Sequence, residues 1–384
     1  MKTIAILTST RAEYGLLSPI VKALIDDGSF NVKVLVTGTH LSEEHGYTYC
    51  EIENDGVPVA CKIPILSGDN TSKGVSYTMA NGLTRFAEYF SSDRPDALVV
   101  LGDRYETLSI CIAAMNERIP IVHLHGGETT EGAVDEAIRH AITKMSYLHL
   151  TSTDEHRNRV IQLGESPDRV FNVGAIGVEN VLKQQMMSRK ELSESIGLDL
   201  SSKYAVVTFH PVTLEKSSAK VQCQELIYAI SECSDYKYII TKANADADGN
   251  VINNMFEQYV THASNAVLVS SLGMKRYLSA VKYSSMVIGN SSSGIIEVPS
   301  FGIPTINIGD RQKGRLQAKS IINCEPERES IVKAIRIAES NEFIDSLTDV
   351  INPYGDGNTS QKIVDILKDR LSGHIDLKKP FYDL

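Results

Sequence analysis

The sequence contains no tryptophan, and aromatic residues make up only 7% of its 384 positions. A carbohydrate-binding module that stacks sugars on an aromatic platform is therefore disfavoured. The six cysteines are scattered and form no CxxC pair, so we expect neither a structural zinc site nor a disulfide framework. No GxGxxG stretch follows the first predicted strand, which weakens any NAD-dependent interpretation. No apolar run approaches the roughly 18 residues that a membrane span requires.

Charge and the N-terminal residues narrow the possible partners and the compartment. The formal net charge of −10 argues against nucleic acid or an anionic membrane as a general partner. Met1 to Thr3 lead directly into an apolar strand, without a signal-peptide cleavage pattern. We therefore expect a cytoplasmic protein with no nucleic-acid partner and no membrane partner.

Short apolar runs alternate with longer amphipathic stretches along the whole chain, which is typical of doubly wound parallel α/β sheets. The pattern starts twice, at Thr3 and again at Tyr204. We therefore predict an N-terminal Rossmann-like domain at 1–178 and a C-terminal one at 179–360. A helix and tail at 361–384 are expected to pack back on the first domain. Ligands of such sheets bind outside the carboxyl ends of the strands, so we expect the two sheets to share a cleft there.

A strand, a turn of small residues and a helix follow one another within residues 287–301. The turn is Asn290-Ser291-Ser292-Ser293-Gly294, and the predicted helix runs from Ile295 to Phe301. This order aims helix N–H groups at an anion, usually a phosphate. Glu297 is placed to accept hydrogen bonds from a diol such as a ribose, and Arg311 adds a cation at the same sheet edge. The stretch predicts a nucleotide-diphosphate site, with an ordinary serine-capped turn as the alternative.

Two strands of the first domain end in charged residues. The first strand leads to Thr10 and Arg11, where a hydroxyl can cap the next helix and a cation favours a diphosphate. The alternative for Arg11 is a surface salt bridge. The strand Ala97–Leu101 is followed by Gly102, Asp103 and Arg104, which indicates a catalytic carboxylate with a candidate substrate contact beside it. The alternative for Asp103 is a cap on the helix 105–117.

The strand Ile119–Leu124 leads into a loop with a histidine and an acid. His123 and His125 share a strand face, but no further metal ligand follows at a suitable spacing. We therefore expect His123 in the core, and His125 and Glu128 in contact with substrate. Asp135 opens the next predicted helix at its cleft end. Carboxylates in a first turn also stabilise the helix dipole, so a structural role is the alternative there.

The second domain offers two further candidates at strand ends. His210 follows the first strand and is held by a proline, so it can hydrogen-bond a phosphate oxygen or transfer a proton. Asn244 follows the strand 237–241, and its amide is a candidate contact for a base or a sugar. A plain polar loop is the alternative for Asn244.

Ordered motifs along almost the whole chain closely resemble the hydrolysing UDP-N-acetylglucosamine 2-epimerases of bacterial sialic acid synthesis. The motifs are TSTRAEYG (8–15), VLGDRYE (100–106), HLHGGE (123–128), DEAIRHAITKMSYLHLTST (135–153), RVIQLGE (159–165), FHPVT (209–213), IGNSSSGIIEVPS (288–300) and INIGDRQKGR (306–315).

The resemblance implies a glycosyltransferase-B-like fold of two Rossmann-like domains, a homodimer, and a UDP-sugar as the substrate. It implies that UDP-N-acetylglucosamine and water give N-acetylmannosamine and UDP. Loss of the carbon-2 proton and anti loss of UDP would give 2-acetamidoglucal, to which water then adds. The resemblance implies no cofactor and no metal.

The resemblance also implies roles for individual positions. Those implied for catalysis are Asp103, Asp135 and His210, and those implied for UDP binding are Arg11, Ser291, Ser292, Ser293, Gly294 and Glu297. One departure matters, because some relatives carry a catalytic glutamate where this chain has His125, and the nearby acid here is Glu128. Our hypothesis is that Asp103 and Asp135, with either Glu128 or His125, form the acid and base set.

Three other interpretations stay open at this point. A related enzyme acts on UDP-N,N′-diacetylbacillosamine in legionaminic acid synthesis, and the non-hydrolysing 2-epimerases return UDP-N-acetylmannosamine. A sugar-nucleotide binding protein without turnover belongs to another class. The HGGE and DRQKGR motifs favour the hydrolysing branch, and the strand-end carboxylates argue against an inert binder.

Overall fold

The computed structural model of the chain describes residues 1–69, 71–129, 134–211, 218–243 and 249–384. Within these ranges all paired strands are parallel, and they form one sheet of seven strands and one of six. Helices separate successive strands in both sheets. The predicted α/β class with two doubly wound Rossmann-like parts is confirmed.

The strands of the first sheet are β1 (Thr3–Thr8), β2 (Asn31–Thr37), β3 (Val59–Ile63), β4 (Ala97–Leu101), β5 (Ile121–Leu124), β6 (Leu148–Thr151) and β7 (Val170–Asn172). Those of the second sheet are β8 (Tyr204–Thr208), β9 (Lys237–Thr241), β10 (Ala266–Val269), β11 (Met286–Gly289), β12 (Thr305–Ile308) and β13 (Ile321–Cys324). Their spatial orders are β3-β2-β1-β4-β5-β6-β7 and β10-β9-β8-β11-β12-β13.

The helices are α1 (Arg11–Asp27), α2 (Tyr49–Asn54), α3 (Ser72–Ser92), α4 (Tyr105–Asn116), α5 (Asp135–Met145), α6 (Asp154–Gln162), α7 (Ile176–Lys183), α8 (Arg189–Ile196), α9 (Ser218–Glu232), α10 (Gly249–His262), α11 (Gly273–Tyr283), α12 (Ser292–Ile296), α13 (Arg328–Ala338), α14 (Asn341–Ser346) and α15 (Thr359–Leu371). Short 3₁₀ turns lie at Gly38–Leu41, Pro167–Arg169, Val298–Phe301 and Asp310–Gln312. None of the helices in the described ranges combines the length and hydropathy that a membrane span requires.

The chain divides into two compact units. Unit 1 contains residues 1–128, 134–180 and 354–384, and unit 2 contains residues 181–353 apart from the segments outside the described ranges. The sequence analysis placed the corresponding boundaries at residues 178 and 360. Each unit contains one of the two sheets.

Alternation along the strands gives each sheet two apolar faces. In β1, Ile4 and Ile6 pack in the same cluster as residues of α1 and α15, whereas Ala5 and Leu7 pack in the cluster that contains residues of α3 and α4. In unit 2 the two faces of β8 pack in the same way into two separate clusters. Since every strand in the middle of a sheet is covered on both faces, its residues form an almost continuous apolar run.

Three strands are absent from the sequence-based prediction, namely β3, β7 and β13. All three lie at an edge of their sheet, and their residues are only partly buried. An edge strand has a partner on one side only and needs no continuous apolar run. The fourth edge strand, β10, is predicted by the pattern because its four residues, Ala266–Val269, are all apolar.

The C-terminal segment belongs to unit 1. In α15, Ile363 and Leu367 pack in the same cluster as Leu17 and Ile20 of α1. In the tail, the Nζ of Lys379 donates to the carbonyl oxygens of Lys144 at 2.7 Å and Ser146 at 2.9 Å, at the end of α5. These contacts attach the tail to the end of α5 that lies opposite Asp135.

Lys379 also completes a buried charge cluster around Glu165. Its Nζ lies 2.8 Å from Oε2 of Glu165. The same carboxylate binds Nζ of Lys144 through Oε1 at 2.5 Å and Nε2 of His149 through Oε2 at 3.1 Å. Burial alone would raise the pKa of Glu165, but the hydrogen bonds from His149, Lys144 and Lys379 lower it to about 2. Glu165 is therefore an ionised acid that the tail helps to neutralise.

Gly289, the last residue of β11, allows an unusually close approach of two strands. Its φ is +140°, and a Cβ at this position would lie 1.9 Å from the carbonyl oxygen of Thr208 in β8. The next amide, that of Asn290, donates to the same carbonyl at 3.1 Å. Only glycine has both the conformation and the space that this strand end requires.

We expect Gly289→Ala to destabilise unit 2 by roughly 3 kcal/mol or more, since it combines backbone strain with a steric clash. Urea unfolding followed by far-UV circular dichroism measures the effect. Gly28→Ala is the matched control, because Gly28 has φ +68° with no atom within 4 Å of the added Cβ. It should cost about 1 to 2 kcal/mol. Equal losses in the two variants would contradict this explanation.

Candidate active site

The candidate residues of unit 1 follow strands that are neighbours in the sheet. β1, β4, β5 and β6 are adjacent and parallel, so the loops after them lie at one edge. These loops carry Arg11, Asp103 with Arg104, and His125 with Glu128. The sheet order therefore brings to one edge residues that are far apart in sequence.

Arg139 in α5 connects the loops after β4 and β5. Its guanidinium is buried and donates a short hydrogen bond to the carboxylate of Asp103. It also donates to the carbonyl oxygen of Glu128 at 2.7 Å and to the carboxylate of Glu136 at 2.8 Å. Asp103 does not cap α4, whose N-cap residue is Arg104 and has no side-chain capping bond. The structural alternative for Asp103 is therefore wrong, and the carboxylate is held by an ion pair instead.

His125 is held in an uncommon conformation beside Glu128. Its φ is +63°, although it is not a glycine, and its amide donates to the carbonyl of Leu150 at 2.9 Å. Its Nδ1 lies 3.2 Å from Oε1 of Glu128. Because a carboxylate only accepts, Nδ1 is the ring nitrogen that carries a proton toward Glu128, and Nε2 is the nitrogen that faces away from it. That Nε2 is buried and has no hydrogen-bond partner among the described residues.

Glu128 is buried and oriented from its other side by a second histidine. Its Oε1 accepts from the hydroxyl of Ser152 at 2.8 Å, and that hydroxyl lies 2.9 Å from Nδ1 of His156. Burial lowers the pKa of His156 to about 4 despite the nearby Glu128 carboxylate, so this ring is neutral at pH 7. Glu128 is therefore positioned by three side chains and in turn positions His125.

The two acids in the first turn of α5, Asp135 and Glu136, have different surroundings. Glu136 accepts from Arg139 and lies 3.1 Å from Nε2 of His140, so it stabilises the helix start. Asp135 is the first helical residue and is exposed to solvent. The role of Asp135 in the reaction stays a prediction.

Two buried acids near Arg104, Glu13 and Glu106, were not among the site residues predicted from the sequence. Arg104 donates from Nε to Oε1 of Glu106 at 2.5 Å, and Glu106 is 2% exposed. Glu13 accepts from the amide and the hydroxyl of Ser9, at 2.6 and 2.8 Å. Burial raises the pKa of Glu13 to about 7 in spite of the Ser9 bonds, with a smaller contribution from Glu106. Glu13 can therefore carry a proton near neutral pH.

Arg11 lies at the N-terminus of α1, where Thr10 caps the helix through a bond from the amide of Glu13 at 3.2 Å. The Arg11 side chain is about half exposed, and its guanidinium lies 3.8 Å from Glu51. The structure thus shows the surface salt bridge that the sequence analysis named as the alternative. An exposed pair of this length contributes little to stability.

In unit 2, Asn290 joins the ends of β8, β11 and β12 through its side chain and its backbone carbonyl. Its side-chain Oδ1 accepts from the backbone N–H of His210 at 2.8 Å, and its Nδ2 donates to the backbone carbonyl of His210 at 2.8 Å. Its own carbonyl accepts from Arg311 at 3.0 Å and from Gln312 at 2.8 Å. His210, Arg311 and the turn that starts at Asn290 are therefore held at one edge of the second sheet.

The helix after this turn differs from the predicted one. The sequence analysis placed it at Ile295–Phe301, but α12 starts at Ser292 and ends at Ile296, and a 3₁₀ turn follows at Val298–Phe301. Pro299 has no amide hydrogen, which explains why the α-helix does not continue. Ser291 caps α12 and accepts from Ser293 and Gly294, at 3.4 and 3.1 Å.

Glu297 follows α12 and points back into it. Its Oε2 accepts a short hydrogen bond from the hydroxyl of Ser293, and burial raises its pKa. The hydroxyl of Tyr277 is buried beside it with no hydrogen-bond partner among the described residues, and both burial and Glu297 raise the pKa of Tyr277. One carboxylate oxygen is thus used within the turn, in contrast to the expectation that both would be directed at a ligand.

The described ranges do not include every residue that the sequence analysis singled out. Asn244 lies outside the described residues, as do the last two residues of the FHPVT motif. In the described part of the chain no group of three or more His, Cys, Asp or Glu side chains is arranged to hold a metal ion.

Sequence reasoning missed Glu13, Arg139 and Asn290 as members of the site. Each of the three residues has a local feature that could have indicated its role. Glu13 and Arg139 are charged residues on helix faces that are otherwise buried, next to Tyr14 and Ile142 respectively. Asn290 directly follows the conformationally special Gly289 at a strand end.

Two doubly wound parallel sheets, with charged side chains gathered at the carboxyl edge of each, define an α/β enzyme of the glycosyltransferase-B-like class. The chain matches the family described as UDP-N-acetylglucosamine 2-epimerase over residues 22–368, and it belongs to that family.

Individual relatives match most or all of the chain. It is 40% identical to the Escherichia coli "Polysialic acid biosynthesis protein P7", over 100% of this chain and 98% of that protein. It is 38% identical to the Campylobacter jejuni "GDP/UDP-N,N′-diacetylbacillosamine 2-epimerase (hydrolyzing)", over 89% of this chain and 88% of that one. The fold is similar to that of UDP-GlcNAc 2-epimerase from Neisseria meningitidis bound to UDP-GlcNAc, with a TM-score of 0.75, 17% identity, and coverage of 96% and 100%.

The charge of His210 is predicted to depend on Arg311. Burial is the main cause that lowers the pKa of His210 to about 4, and the Arg311 cation lowers it further. Arg311→Gln should therefore raise this pKa, while burial keeps it below the usual 6.5. Histidine NMR titration measures the change. Lys313→Gln is the control, since Lys313 is exposed and pairs with Asp310 at 3.3 Å. An unchanged pKa in Arg311→Gln would contradict the prediction.

Proposed function

We propose that the protein is a hydrolysing UDP-N-acetylglucosamine 2-epimerase that converts UDP-N-acetylglucosamine and water to N-acetylmannosamine and UDP. The observation that carries this proposal is the 40% identity, along the full chain, to a protein named for polysialic acid biosynthesis. Sialic acids are made from N-acetylmannosamine, so this reaction would be the first step of their synthesis. We also propose that the enzyme is a cytoplasmic homodimer.

We assign UDP to the C-terminal domain. The diphosphate would meet Arg311, His210 and the Ser291-Ser292-Ser293-Gly294 turn, and the ribose would meet Glu297, with Asn244 near the base or sugar. Arg11 and Arg104 of the N-terminal domain are proposed as further substrate contacts. As the bond between the sugar and UDP breaks, negative charge grows on the β-phosphate, and cations and aligned N–H groups stabilise it. His210, neutral at pH 7, would contribute a hydrogen bond rather than a charge.

We assign the proton chemistry to the N-terminal domain. A base removes the carbon-2 proton, the electron pair forms the carbon 1–carbon 2 double bond, and UDP leaves from the opposite face. Water then adds at carbon 1, and an acid delivers a proton to the other face of carbon 2. Two groups on opposite sides of the sugar are needed, and Asp103, Asp135 and the His125–Glu128 pair are the candidates.

The contacts favour His125 over Glu128 as the group that meets the substrate. Glu128 already accepts from Ser152 and His125, whereas Nε2 of His125 has no partner among the described residues. The positive φ of His125 is a strained conformation of the kind that is retained at functional sites. In this proposal Glu128 holds the tautomer of His125, and the imidazole takes the place of the carboxylate that some relatives have.

A second candidate substrate is UDP-N,N′-diacetylbacillosamine. It is favoured by the 38% identity to the Campylobacter enzyme of that name. The two sugars differ at carbons 4 and 6, and the proposed acid and base groups act at carbons 1 and 2. The proton chemistry would therefore be the same for both substrates.

Turnover of both sugar nucleotides in D₂O, followed by proton NMR, decides between these reactions. We expect UDP and N-acetylmannosamine deuterated at carbon 2 from UDP-N-acetylglucosamine, at least tenfold faster than any reaction of the bacillosamine substrate. Faster turnover of the latter would assign that substrate instead. UDP-N-acetylmannosamine as the product would indicate the non-hydrolysing reaction, and no turnover of either would indicate a binding protein.

Substitutions at His125 and Glu128 separate their roles. We expect His125→Gln to lower kcat by about 100-fold or more, the usual effect of losing a general acid or base. Glu128→Gln should lower kcat by only about tenfold, because the amide oxygen still accepts from Nδ1–H of His125. The affinity for UDP, measured by calorimetry, should not change in either variant. His45→Gln, at an exposed histidine, is the control. A larger loss in Glu128→Gln than in His125→Gln would make Glu128 the reacting group.

A further inference from the structure

His123 is a buried histidine whose two ring nitrogens are both engaged. It lies in β5 with no solvent exposure. Its Nε2 is 2.8 Å from the carbonyl oxygen of Gly102, and its Nδ1 is 3.2 Å from the hydroxyl of Thr143. The ring therefore bridges the end of β4 to helix α5.

The partners determine the tautomer of His123. A carbonyl oxygen can only accept, so Nε2 carries the proton and donates it to Gly102. Nδ1 is then an acceptor, and it shares the single proton of the Thr143 hydroxyl with the carbonyl oxygen of Arg139, which lies 3.0 Å from that hydroxyl. A Cβ at Gly126 would lie 3.0 Å from Nδ1 and 3.2 Å from the Thr143 hydroxyl, so the glycine permits tight packing over this bond.

The bond from His123 acts on the residue that precedes Asp103. Gly102 has φ +72°, and its amide donates to the carbonyl of Leu124 at 3.0 Å. Residues of β5 thus bind both backbone groups of Gly102: the Leu124 carbonyl accepts from its N–H, and the His123 side chain donates to its carbonyl. Thr143 lies one helical turn after Arg139, which binds the Asp103 carboxylate. The backbone before Asp103 and its side chain are therefore braced by the same helix.

We propose that His123 is a positioning residue for Asp103, holding the Gly102 carbonyl through a fixed Nε2–H tautomer while Arg139 holds the carboxylate. The inference rests on the proposed function, in which Asp103 belongs to the acid and base set. His123 itself neither touches substrate nor exchanges a proton during turnover.

The surroundings of His123 keep it neutral. Burial lowers its pKa to about 3, and this exceeds the opposing effect of the bond to Gly102. The charged or titratable groups nearest to it are His149 on β6, Arg139 on α5 and His125 on its own chain segment, and each lowers the pKa further. The Nε2–H tautomer is thus maintained across the pH range in which an enzyme works.

His149 offers a matched control in the neighbouring strand. It is the direct register partner of His123 and is equally buried. Its Nε2, however, binds Glu165 at 3.1 Å and not a residue of the strand-edge loops. A loss of activity caused by disturbed packing would appear at both histidines, whereas loss of positioning would appear only at His123.

Four variants test the proposal, namely His123→Phe, His123→Gln, Thr143→Val and His149→Gln. We expect His123→Phe, which lacks the donor, to lower kcat by 10- to 100-fold, with KM and UDP affinity within twofold of wild type. His123→Gln retains a donor near the position of Nε2 and should recover kcat to within about fivefold. Thr143→Val should lower kcat three- to tenfold, and His149→Gln should stay within threefold.

The pH profile of kcat/KM and the histidine ¹⁵N NMR spectrum complete the test. Both limbs of the profile should keep their positions in every variant, because His123 does not titrate. The wild-type spectrum should contain an Nε2–H histidine signal that does not change between about pH 5.5 and 9, is absent from His123→Gln and is retained in His149→Gln. An Nδ1–H tautomer, a titrating His123, normal kcat in His123→Phe, or an equal loss in His149→Gln would each overturn the proposal. Absence of turnover in the wild type would refute the proposed function instead, and the NMR result would still decide the hydrogen bond.

Discussion

The buried guanidinium of Arg139 is the interaction on which the strand-edge site of unit 1 depends. A charge in a protein interior is tolerated only when it is paired and hydrogen-bonded, and Arg139 meets this condition through Asp103, Glu136 and the carbonyl of Glu128. Removing one partner of such a group costs several kcal/mol, because the remaining charge stays buried. The same ion pair therefore stabilises the fold and determines where the Asp103 carboxylate lies.

In unit 2 the strand-edge residues are held by an uncharged side chain, that of Asn290. Asn290 joins His210, Arg311 and Gln312 through four hydrogen bonds, and Gly289 provides the space that this arrangement needs. The amide of Asn290 carries no charge, and the cluster places the Arg311 cation at the edge that is proposed to bind a diphosphate. The acid-rich edge of unit 1 and the cation-bearing edge of unit 2 thus differ in the chemistry each can support.

Histidines in this protein mostly serve as neutral, oriented hydrogen-bonding groups. Burial lowers the pKa values of His123, His156 and His210 to between about 3 and 4, so none of them changes charge near pH 7. Glu13 is the opposite case, since burial raises its pKa to about 7. None of these three rings would therefore make activity depend on pH near neutrality, whereas the protonation of Glu13 changes in that range.

The sequence by itself determined the fold class, the interior strands, several of the helices and the strand-end positions of Arg11, Asp103, His125 and His210. It could do so because strands covered on both faces must be apolar, and because ligand-binding residues follow such strands. Tertiary structure alone decided the edge strands β3, β7 and β13 and the partners of each candidate. Arg139 and Asn290 are distant in sequence from Asp103 and His210, the residues that they hold. Their roles arise only when parallel strands bring separate loops to one edge, where burial then requires every polar group to find a partner.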